Sequence, residues 1–405
     1  MSLSMFRRLC GRSNSSLMGD LIFVSMENWD EIWRRNQFVI SELARRHPQS
    51  KILFVGLPRN VSNDLRHGRL KTLRDRATYK VQGVTVTRPI KLLPDSLATG
   101  RAINEAMFRR HVRGIAAGLG MHRPVLWLNP HSAVHMVGSM AERMVIYDIT
   151  DDWTSLTQSP RMAKLVARQD AELCRRADAV IVCSQRLLEL KQHMARHVHL
   201  IPNGVDAEHY RTVLDGCGDF PPIARGWARP VLGYTGTVHP DRIDASLVES
   251  VAQMMPDASI VLIGPNYLSD PDSERLRSRG NVHLTGPVPY GQIPDYMRAF
   301  DVCITPHRMT AFTESLNPIK LWEYLAAGKP IVSTDVAGFR DYPQFVRIAR
   351  DAQGFVAAVR AALAEGVALA EARRQEARRH SWQARVDQIE GVIATCLASG
   401  ETSAA

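Results

Sequence analysis

The chain has 405 residues, 45% of them hydrophobic and 23% charged, with a formal net charge of +10 and a pI of about 9.5. This composition is that of an ordinary soluble globular protein, and the length is enough for two or three domains. The six cysteines are scattered without a C-x-x-C pair, which argues against a zinc site. No apolar run reaches the roughly 18 residues of a membrane-spanning helix, so a cytoplasmic protein is expected.

The positive charge is unevenly distributed. Two basic clusters account for much of it, at Arg59, Arg66, Arg69, Lys71, Arg74, Arg76 and Lys80, and at Arg109, Arg110 and Arg113. Such a field attracts anions, including phosphorylated metabolites and anionic lipid, and an Arg-rich solvated surface is the alternative interpretation. Nucleic acid is not expected as a partner, because no recognition motif accompanies the charge. A peripheral position on the inner face of the cell membrane is consistent with the clusters.

Residues 1–19 are basic and Ser-rich without an apolar core, which predicts a flexible tail rather than a secretory signal. After them, apolar β-forming runs alternate with patterns of helical period. The runs of the first half lie at 21–25, 51–56, 84–88, 124–129, 144–148 and 179–184. Strands that are apolar throughout, separated by helices, predict a parallel sheet covered on both faces.

A turn at Asn203-Gly204 interrupts this alternation of strand and helix patterns. The alternation then continues with apolar runs at 230–236, 259–264, 282–286, 301–306 and 330–334. The sequence therefore predicts an α/β fold of two doubly wound, Rossmann-like domains facing a central cleft. The first domain is expected over 20–203 and the second over 204–380. An amphipathic helix over 381–398 is left to cap the second domain or to cross back to the first, and 399–405 is a tail. Ligands of such sheets bind at the carboxyl ends of the strands.

Two loops after strands of the second half carry candidate ligand-binding residues. In "YTGTVHPDRID" (234–244), Gly236 allows close backbone approach, the following turn with Thr237 can aim amides at an anion, and Arg242 can add a charged hydrogen bond. In "TESLNPIKLWEYLAAGKPIVST" (313–334), Asn317 and Pro318 are suited to a helix start and Gly328 to its end. A helix start favours phosphate, and Lys320 could strengthen it.

Glu323 lies one turn into this predicted helix, where its carboxylate could accept two hydroxyl hydrogen bonds, as with a ribose. A simple surface ion pair between Lys320 and Glu323 is the alternative. Glu314, just before the helix, is expected to face the cleft. The pattern of these loops predicts a site for a phosphorylated sugar-containing ligand.

The segments "IPNGVD" (201–206), "GYTGT" (233–237), "LTGPVPYGQIPDYMRAFDVCITP" (284–306) and "ESLNPIKLWEYLAAGKPIVST" (314–334) together resemble the donor domain of GT-B glycosyltransferases. The likeness is greatest to glycosyltransferase family 4 and its bacterial polysaccharide-biosynthesis members. The resemblance implies that Gly236, Thr237 and Arg242 bind the donor diphosphate, that Asn317 and Lys320 belong to the same site, and that Glu323 binds the nucleotide ribose. The family often has Arg where Thr237 stands.

The first glutamate of the family's E-x7-E motif is displaced here. Glu314 and Glu323 are separated by eight residues, and Ser315 occupies the strict position. Either the loop carries one extra residue, with Glu314 still near the transferred sugar, or Glu314 has another role. In the first half, "VSMENWDEIWRRNQFVISELARR" (24–46) and "MVIYDITDDWTSL" (144–156) resemble parts of the acceptor domain.

Asp148 stands where the family's catalytic-region histidine follows its strand, and it is the candidate acceptor-side catalytic residue. Asp151 and Asp152 are its neighbouring rivals, and a structural cap is the alternative role. His131 and His135 also follow a strand and are weaker candidates.

The resemblance implies an enzyme that moves a sugar from a nucleotide-diphosphate sugar to a glycan or lipid-linked acceptor in polysaccharide biosynthesis. The resemblance also implies retention of the anomeric configuration. Transfer without a metal or other cofactor is expected, because backbone amides, Arg242 and Lys320 would stabilise the leaving diphosphate in place of a divalent cation. An inverting enzyme with Asp148 as base remains an alternative. A nucleotide-sugar 2-epimerase and a non-catalytic nucleotide-sugar-binding protein are the other readings that stay open.

Overall fold

The computed structural model describes residues 18–61, 78–93, 98–155, 159–215 and 220–402. The predicted N-terminal tail, apart from its last two residues, lies outside these ranges. Most of the first basic cluster lies outside them too: Arg66, Arg69, Lys71, Arg74 and Arg76.

The first domain is built on an eight-stranded sheet. Together with a separate two-stranded pair, the strands of this domain are β1 (Leu21–Val24), β2 (Ile52–Val55), β3 (Arg59–Asn60), β4 (Thr78–Val81), β5 (Val84–Thr87), β6 (Ile90–Lys91), β7 (Val125–Leu128), β8 (Met144–Ile149), β9 (Ala179–Val182) and β10 (Val198–Leu200). The order across the sheet is β10-β9-β8-β7-β1-β2-β5-β4, and β3 pairs with β6 outside it. Neighbours are parallel except for the edge hairpin of β4 and β5.

The helices of this domain are α1 (Arg35–Arg46), α2 (Ala98–Gly118), α3 (Pro160–Arg176) and α4 (Gln185–Lys191). They cover both faces of the sheet, and this is why most positions of the central strands are apolar. Phe23, for example, stands in register between Phe54 and Trp127, and all three side chains are buried.

The second domain has a six-stranded parallel sheet in the order β13-β12-β11-β14-β15-β16. Its strands are β11 (Val231–Thr235), β12 (Ser259–Ile263), β13 (Val282–Gly286), β14 (Val302–Thr305), β15 (Ile331–Thr334) and β16 (Val346–Ala349). Its helices are α5 (Ala245–Met254), α6 (Asp270–Arg277), α7 (Ile293–Arg298), α8 (Ile319–Ala327), α9 (Ala352–Glu365) and α10 (Ala370–Arg379). The prediction of two doubly wound α/β domains is confirmed.

The chain ends with α11 (Trp382–Thr402), which packs on the first domain. Trp382 stacks on Phe38 of α1 with ring centroids 5.0 Å apart. Ile389 is fully buried in the same core. Arg46 holds the outer face of this helix through Glu390, with N and O atoms 2.8 Å apart. The C-terminal helix thus crosses back from the second domain and packs into the core of the first. None of the helices in the described ranges is long and apolar enough to cross a membrane.

Candidate active site in the cleft

A cavity of about 330 Å³ lies between the two domains, at the carboxyl ends of both sets of strands. The second domain contributes the loops after β11, β12, β13 and β14 and the start of α8. The first domain contributes the loop after β1 and the loop after β8. Among the predicted donor-site residues, the structure brings together Gly236, Thr237, Arg242, Asn317, Lys320 and Glu323, all of which line this cavity.

The start of α8 is a cluster of hydrogen-bond donors without a side-chain cap. Asn317 was expected to cap it, but the helix begins one residue later, with Pro318 in the cap position. The Asn317 side chain accepts a hydrogen bond from the Asn203 backbone N–H instead, at 2.8 Å across the domain boundary. Because that oxygen is engaged elsewhere, the first amides of α8 remain directed at the cleft and can receive an anion.

Lys320 and Glu323 form an ion pair in this wall, with Nζ and Oε2 2.6 Å apart. The Lys320 side chain keeps 29% of its surface exposed, whereas Glu323 keeps 4%. The ion pair considered as an alternative from the i, i+3 spacing does form, but it lies in the cavity wall rather than on an outer surface. The Glu323 carboxylate has further lone pairs for a ligand hydroxyl while Oε2 holds the lysine.

Two glycines allow the strand-end loops to approach each other closely. Gly236 has φ of 145° and Gly264 has φ of 147°, a region that side-chain-bearing residues rarely adopt. A Cβ on Gly264 would lie 2.0 Å from the Gly236 carbonyl oxygen, and one on Gly236 would lie 3.3 Å from Cε of Lys320. The phosphate-binding candidates of the β11 loop and of α8 are thus adjacent because neither glycine has a side chain.

Arg242 reaches from the second domain toward the first. Its Nη2 lies 3.7 Å from Oδ1 of Asp151, in the loop after β8. Its guanidinium carbon also lies 5.5 Å from the centre of the Phe312 ring. His307 lines the same part of the cavity, where burial, followed by the charge of Arg242, lowers its pKa to about 3 and keeps it neutral.

Two tyrosines complete the wall around Glu323. Tyr210 and Tyr290 both line the cavity, and Tyr290 stacks on His209 with ring centroids 4.0 Å apart. Burial, reinforced by the Glu323 carboxylate, raises the pKa of both tyrosines well above the usual value. Both hydroxyls are therefore neutral and able to donate hydrogen bonds.

Asp148 does not line the cavity. It is buried, and Arg35 Nε donates to its Oδ2 at 3.2 Å. The same guanidinium donates through Nη1 to the Pro202 carbonyl and to Oδ1 of Asn203, each at 3.2 Å. This ion pair connects β8, the start of α1 and the segment that leads into the second domain, which gives Asp148 a structural partner.

Glu314 does not line the cavity either. It lies in a 3-10 turn, Thr313–Ser315, that buries its two neighbours and turns Glu314 toward Arg340, with O···N distances of 2.7 and 2.8 Å. At the strict motif position, Ser315 donates its hydroxyl to the Phe312 carbonyl at 2.8 Å. Neither Glu314 nor Ser315 therefore lines the cavity. Of the weaker candidates, His131 and His135 are absent from the cavity wall as well.

The carboxylates of the first domain that do line the cavity are Glu27 and Asp151. Glu27 follows β1, and Asn36 Nδ2 donates to Ser25 Oγ, to Asn129 Oδ1 and, at 3.4 Å, to Glu27 Oε2. Burial raises the pKa of Glu27 to about 7, with Arg34 opposing the shift. Burial also raises the pKa of Asp151, and Arg242 opposes it.

The sequence pattern missed Glu27, Gly264 and His307. Each lies within three residues of the end of a strand. The rule that ligands bind at the carboxyl ends of strands would therefore have identified them had it been applied to every strand. Tyr210 and Tyr290 lie in irregular segments and had no such signal.

Comparison with known proteins agrees with this geometry. Residues 229–365 match the model of the family described as "Glycosyl transferases group 1". A 203-residue stretch is 30% identical to "Putative teichuronic acid biosynthesis glycosyltransferase TuaH" of Bacillus subtilis (strain 168). That alignment covers 47% of this chain, and the chain spans about half (50%) of that relative's length.

Solved structures extend the likeness over nearly the whole chain. Sucrose-phosphate synthase from Thermosynechococcus elongatus superposes with a TM-score of 0.68 at 16% identity, covering 94% of this chain and 100% of that one. Anabaena HepE in complex with UDP-glucose gives a TM-score of 0.65 at 17% identity, covering 94% and 99%. The fold is therefore the GT-B fold, and the resemblance to group 1 glycosyltransferases is confirmed.

Proposed function

We propose that this protein is a glycosyltransferase that takes a sugar from a nucleotide-diphosphate sugar and places it on a hydroxyl of a glycan or lipid-linked glycan in polysaccharide biosynthesis. The observation that carries the proposal is the second-domain wall of the cleft. There the uncapped start of α8, Lys320, Arg242 and the Gly236–Thr237 turn converge on one cavity. This is the wall to which the matched family segment contributes most.

The chemistry of donor activation requires stabilisation of a leaving diphosphate. As the bond from the anomeric carbon to phosphate oxygen breaks, negative charge grows on that oxygen. The α8 amides, Lys320 and Arg242 are placed to stabilise this charge, and pre-oriented donors of this kind lower the barrier because they need no reorganisation. Metal-independent transfer is part of the proposal, since these groups can perform the charge stabilisation that a divalent cation performs elsewhere.

Glu323 is proposed to bind the ribose. Its carboxylate is almost completely buried, is held by Lys320 and adjoins two neutral tyrosines, so it can accept hydroxyl hydrogen bonds in a fixed orientation. Relatives in this fold include a HepE structure with UDP-glucose, which supports a nucleotide sugar as donor.

Retention of the anomeric configuration is proposed from the family resemblance, with the departing phosphate taking the proton of the attacking hydroxyl. Asp148 and Glu314 have no chemical role in this scheme, because each carboxylate is paired with an arginine and neither lines the cavity. Docking on an anionic membrane, which the basic clusters suggested, is proposed for the lipid-linked acceptor.

The test is product analysis with a panel of UDP-, GDP-, ADP- and dTDP-sugars, in the presence and absence of an oligosaccharide extract. The proposal predicts release of one nucleoside diphosphate together with an acceptor product that is heavier by one sugar. Conversion of the donor to an isomer without any acceptor would instead favour a 2-epimerase. Binding without turnover would favour a nucleotide-sugar-binding protein.

A further inference from the structure

The ion pair between Arg242 and Asp151 is a contact between the proposed donor wall and the opposite domain. The atoms lie 3.7 Å apart, close to the limit for an ion pair, and both side chains line the cavity. Arg242 keeps 36% of its side-chain surface exposed and Asp151 keeps 16%. The arginine is therefore only loosely held by its partner and remains accessible to a ligand in the cleft.

Asp151 has little other support for its charge. Thr150 Oγ1 lies 3.4 Å from its Oδ2, a long hydrogen bond, and Arg242 is the one cation paired with it in the described ranges. Its neighbour across the first-domain wall is Glu27, a second carboxylate. A partly buried carboxylate beside another one is costly to leave without a hydrogen-bond donor.

The Asp151 carboxylate and a donor diphosphate would therefore compete for the Arg242 guanidinium. A diphosphate would bind Arg242 through charge-assisted, bidentate hydrogen bonds, which are stronger than a single long ion pair. Once the arginine turns to the phosphate, the Asp151 carboxylate keeps the long hydrogen bond from Thr150 but loses its ion pair, and it faces the cavity next to Glu27.

We propose that Asp151 is an acceptor-binding carboxylate. In the empty cleft it is ion-paired with Arg242, which releases it when a donor diphosphate binds. The inference rests on the proposed function and specifies its acceptor side. The released Asp151 accepts hydrogen bonds from hydroxyl groups, whereas a phosphate at this position would be repelled by its carboxylate. The acceptor end that enters the cleft is thus a neutral sugar, and its binding follows that of the donor. By thermodynamic reciprocity, donor and acceptor raise each other's affinity.

The first experiment measures, by calorimetric titration, the Kd of whichever of UDP, GDP, ADP and dTDP binds the wild type. Asp151→Asn frees Arg242 and is expected to tighten binding about fivefold or more, the lower end of typical coupling between sites. The titrations are run at pH 8.5, above the pKa of about 7 of Glu27, so that Glu27→Gln also removes a negative charge from the same cavity. Because Glu27 is not ion-paired with Arg242, the effect of this variant is expected to be clearly smaller. In an Arg242→Gln background, Asp151→Asn should have no effect.

Equal tightening in the two single variants would reduce the effect to general electrostatics and overturn the inference, as would unchanged affinity in Asp151→Asn. If no nucleotide binds the wild type, the proposed function itself fails. A second readout is ligand-detected NMR with a panel of methyl glycosides. Signals are expected only when the nucleoside diphosphate is present and are expected to disappear in Asp151→Asn. No signal, or equal signals with and without nucleotide, contradicts the acceptor assignment.

Discussion

Replacing Asp148 by Asn separates a structural role from a catalytic one. The substitution keeps the shape of the side chain but removes the charge that neutralises Arg35, whose own side chain is 4% exposed. The arginine keeps its hydrogen bonds to the Pro202 carbonyl and Asn203, so its position is maintained while its charge becomes uncompensated.

The magnitude follows from this burial. Removing one partner of a buried ion pair typically costs about 3–5 kcal/mol, because the remaining charge stays desolvated. With roughly 2–4 °C per kcal/mol for a domain of this size, the melting temperature of the first domain should fall by at least about 6 °C. Asp151→Asn, a matched change in the next loop, should leave stability within about 1 kcal/mol, since its ion pair is long and partly solvated.

The assay is thermal unfolding of the wild type, Asp148→Asn and Asp151→Asn, followed by donor turnover at a temperature where all three remain folded. The reasoning predicts a large drop in melting temperature for Asp148→Asn with much of its turnover retained. If Asp148→Asn melts like the wild type yet loses turnover by a factor of about a hundred or more, the range typical of a general base, the structural assignment is refuted.

Three further predictions concern the loops, the titration of the cleft and the C-terminal helix. Gly264→Ala should weaken nucleotide binding and destabilise the second domain by about 2 kcal/mol or more, because its Cβ would overlap the Gly236 carbonyl. Gly280→Ala, with open space around its Cβ, should change neither property. Calorimetry measures the binding and urea unfolding measures the stability. Since the folded-state pKa of Glu27 is raised to about 7, the folded state binds more protons than the unfolded state between about pH 4.5 and 7. The protein should therefore lose stability as the pH rises through that window. Glu27→Gln should abolish this loss, and a pH profile of urea unfolding that is the same in the variant would contradict the prediction. Ile389→Ala should destabilise the first domain by about 2–5 kcal/mol, although the residue lies near the other end of the chain, because its side chain is buried in that domain's core. The substitution should increase amide hydrogen exchange in the first domain, and an increase confined to the second domain would disprove that packing.

Most strands of both sheets could be predicted from the sequence because buried parallel strands are apolar at nearly every position. The runs at 144–148 and 259–264, for example, correspond to β8 and β12 to within one residue at either end. Two edge strands were missed because they lack this apolar pattern. In β10 and β16 the residues are only partly buried, so their composition carries no continuous apolar signal.

The residues predicted for the donor side line one cavity, and their placement could be predicted because it is determined locally. Gly236, Lys320 and Glu323 owe their positions to a strand end and a helix start that lie in one stretch of chain each. The acceptor side depends on contacts that are distant in sequence. Asp148 is removed from the cleft by Arg35, 113 residues earlier, and Glu314 by Arg340, 26 residues later. Neither pairing is visible in the local pattern.

The cap of α8 illustrates the same limit. Asn317 has the residue type of a helix cap and the right position beside Pro318, and local propensity alone favours that role. In the folded chain, the Asn203 backbone, 114 residues away, takes the side-chain oxygen first. Competition from a distant partner therefore decides whether the helix start is capped or open to a ligand.

Calorimetric titration of the nucleotide-sugar panel into the wild type and Lys320→Met tests the central claim most directly. The account predicts that one nucleotide sugar binds the wild type, that the matching nucleoside monophosphate binds more weakly, and that Lys320→Met loses affinity roughly tenfold or more, as expected for a lost charge-assisted phosphate contact of about 1.5–3 kcal/mol. Failure of all the nucleotides to bind, or equal affinity in Lys320→Met, would contradict the assignment of this cleft as a diphosphate-sugar site.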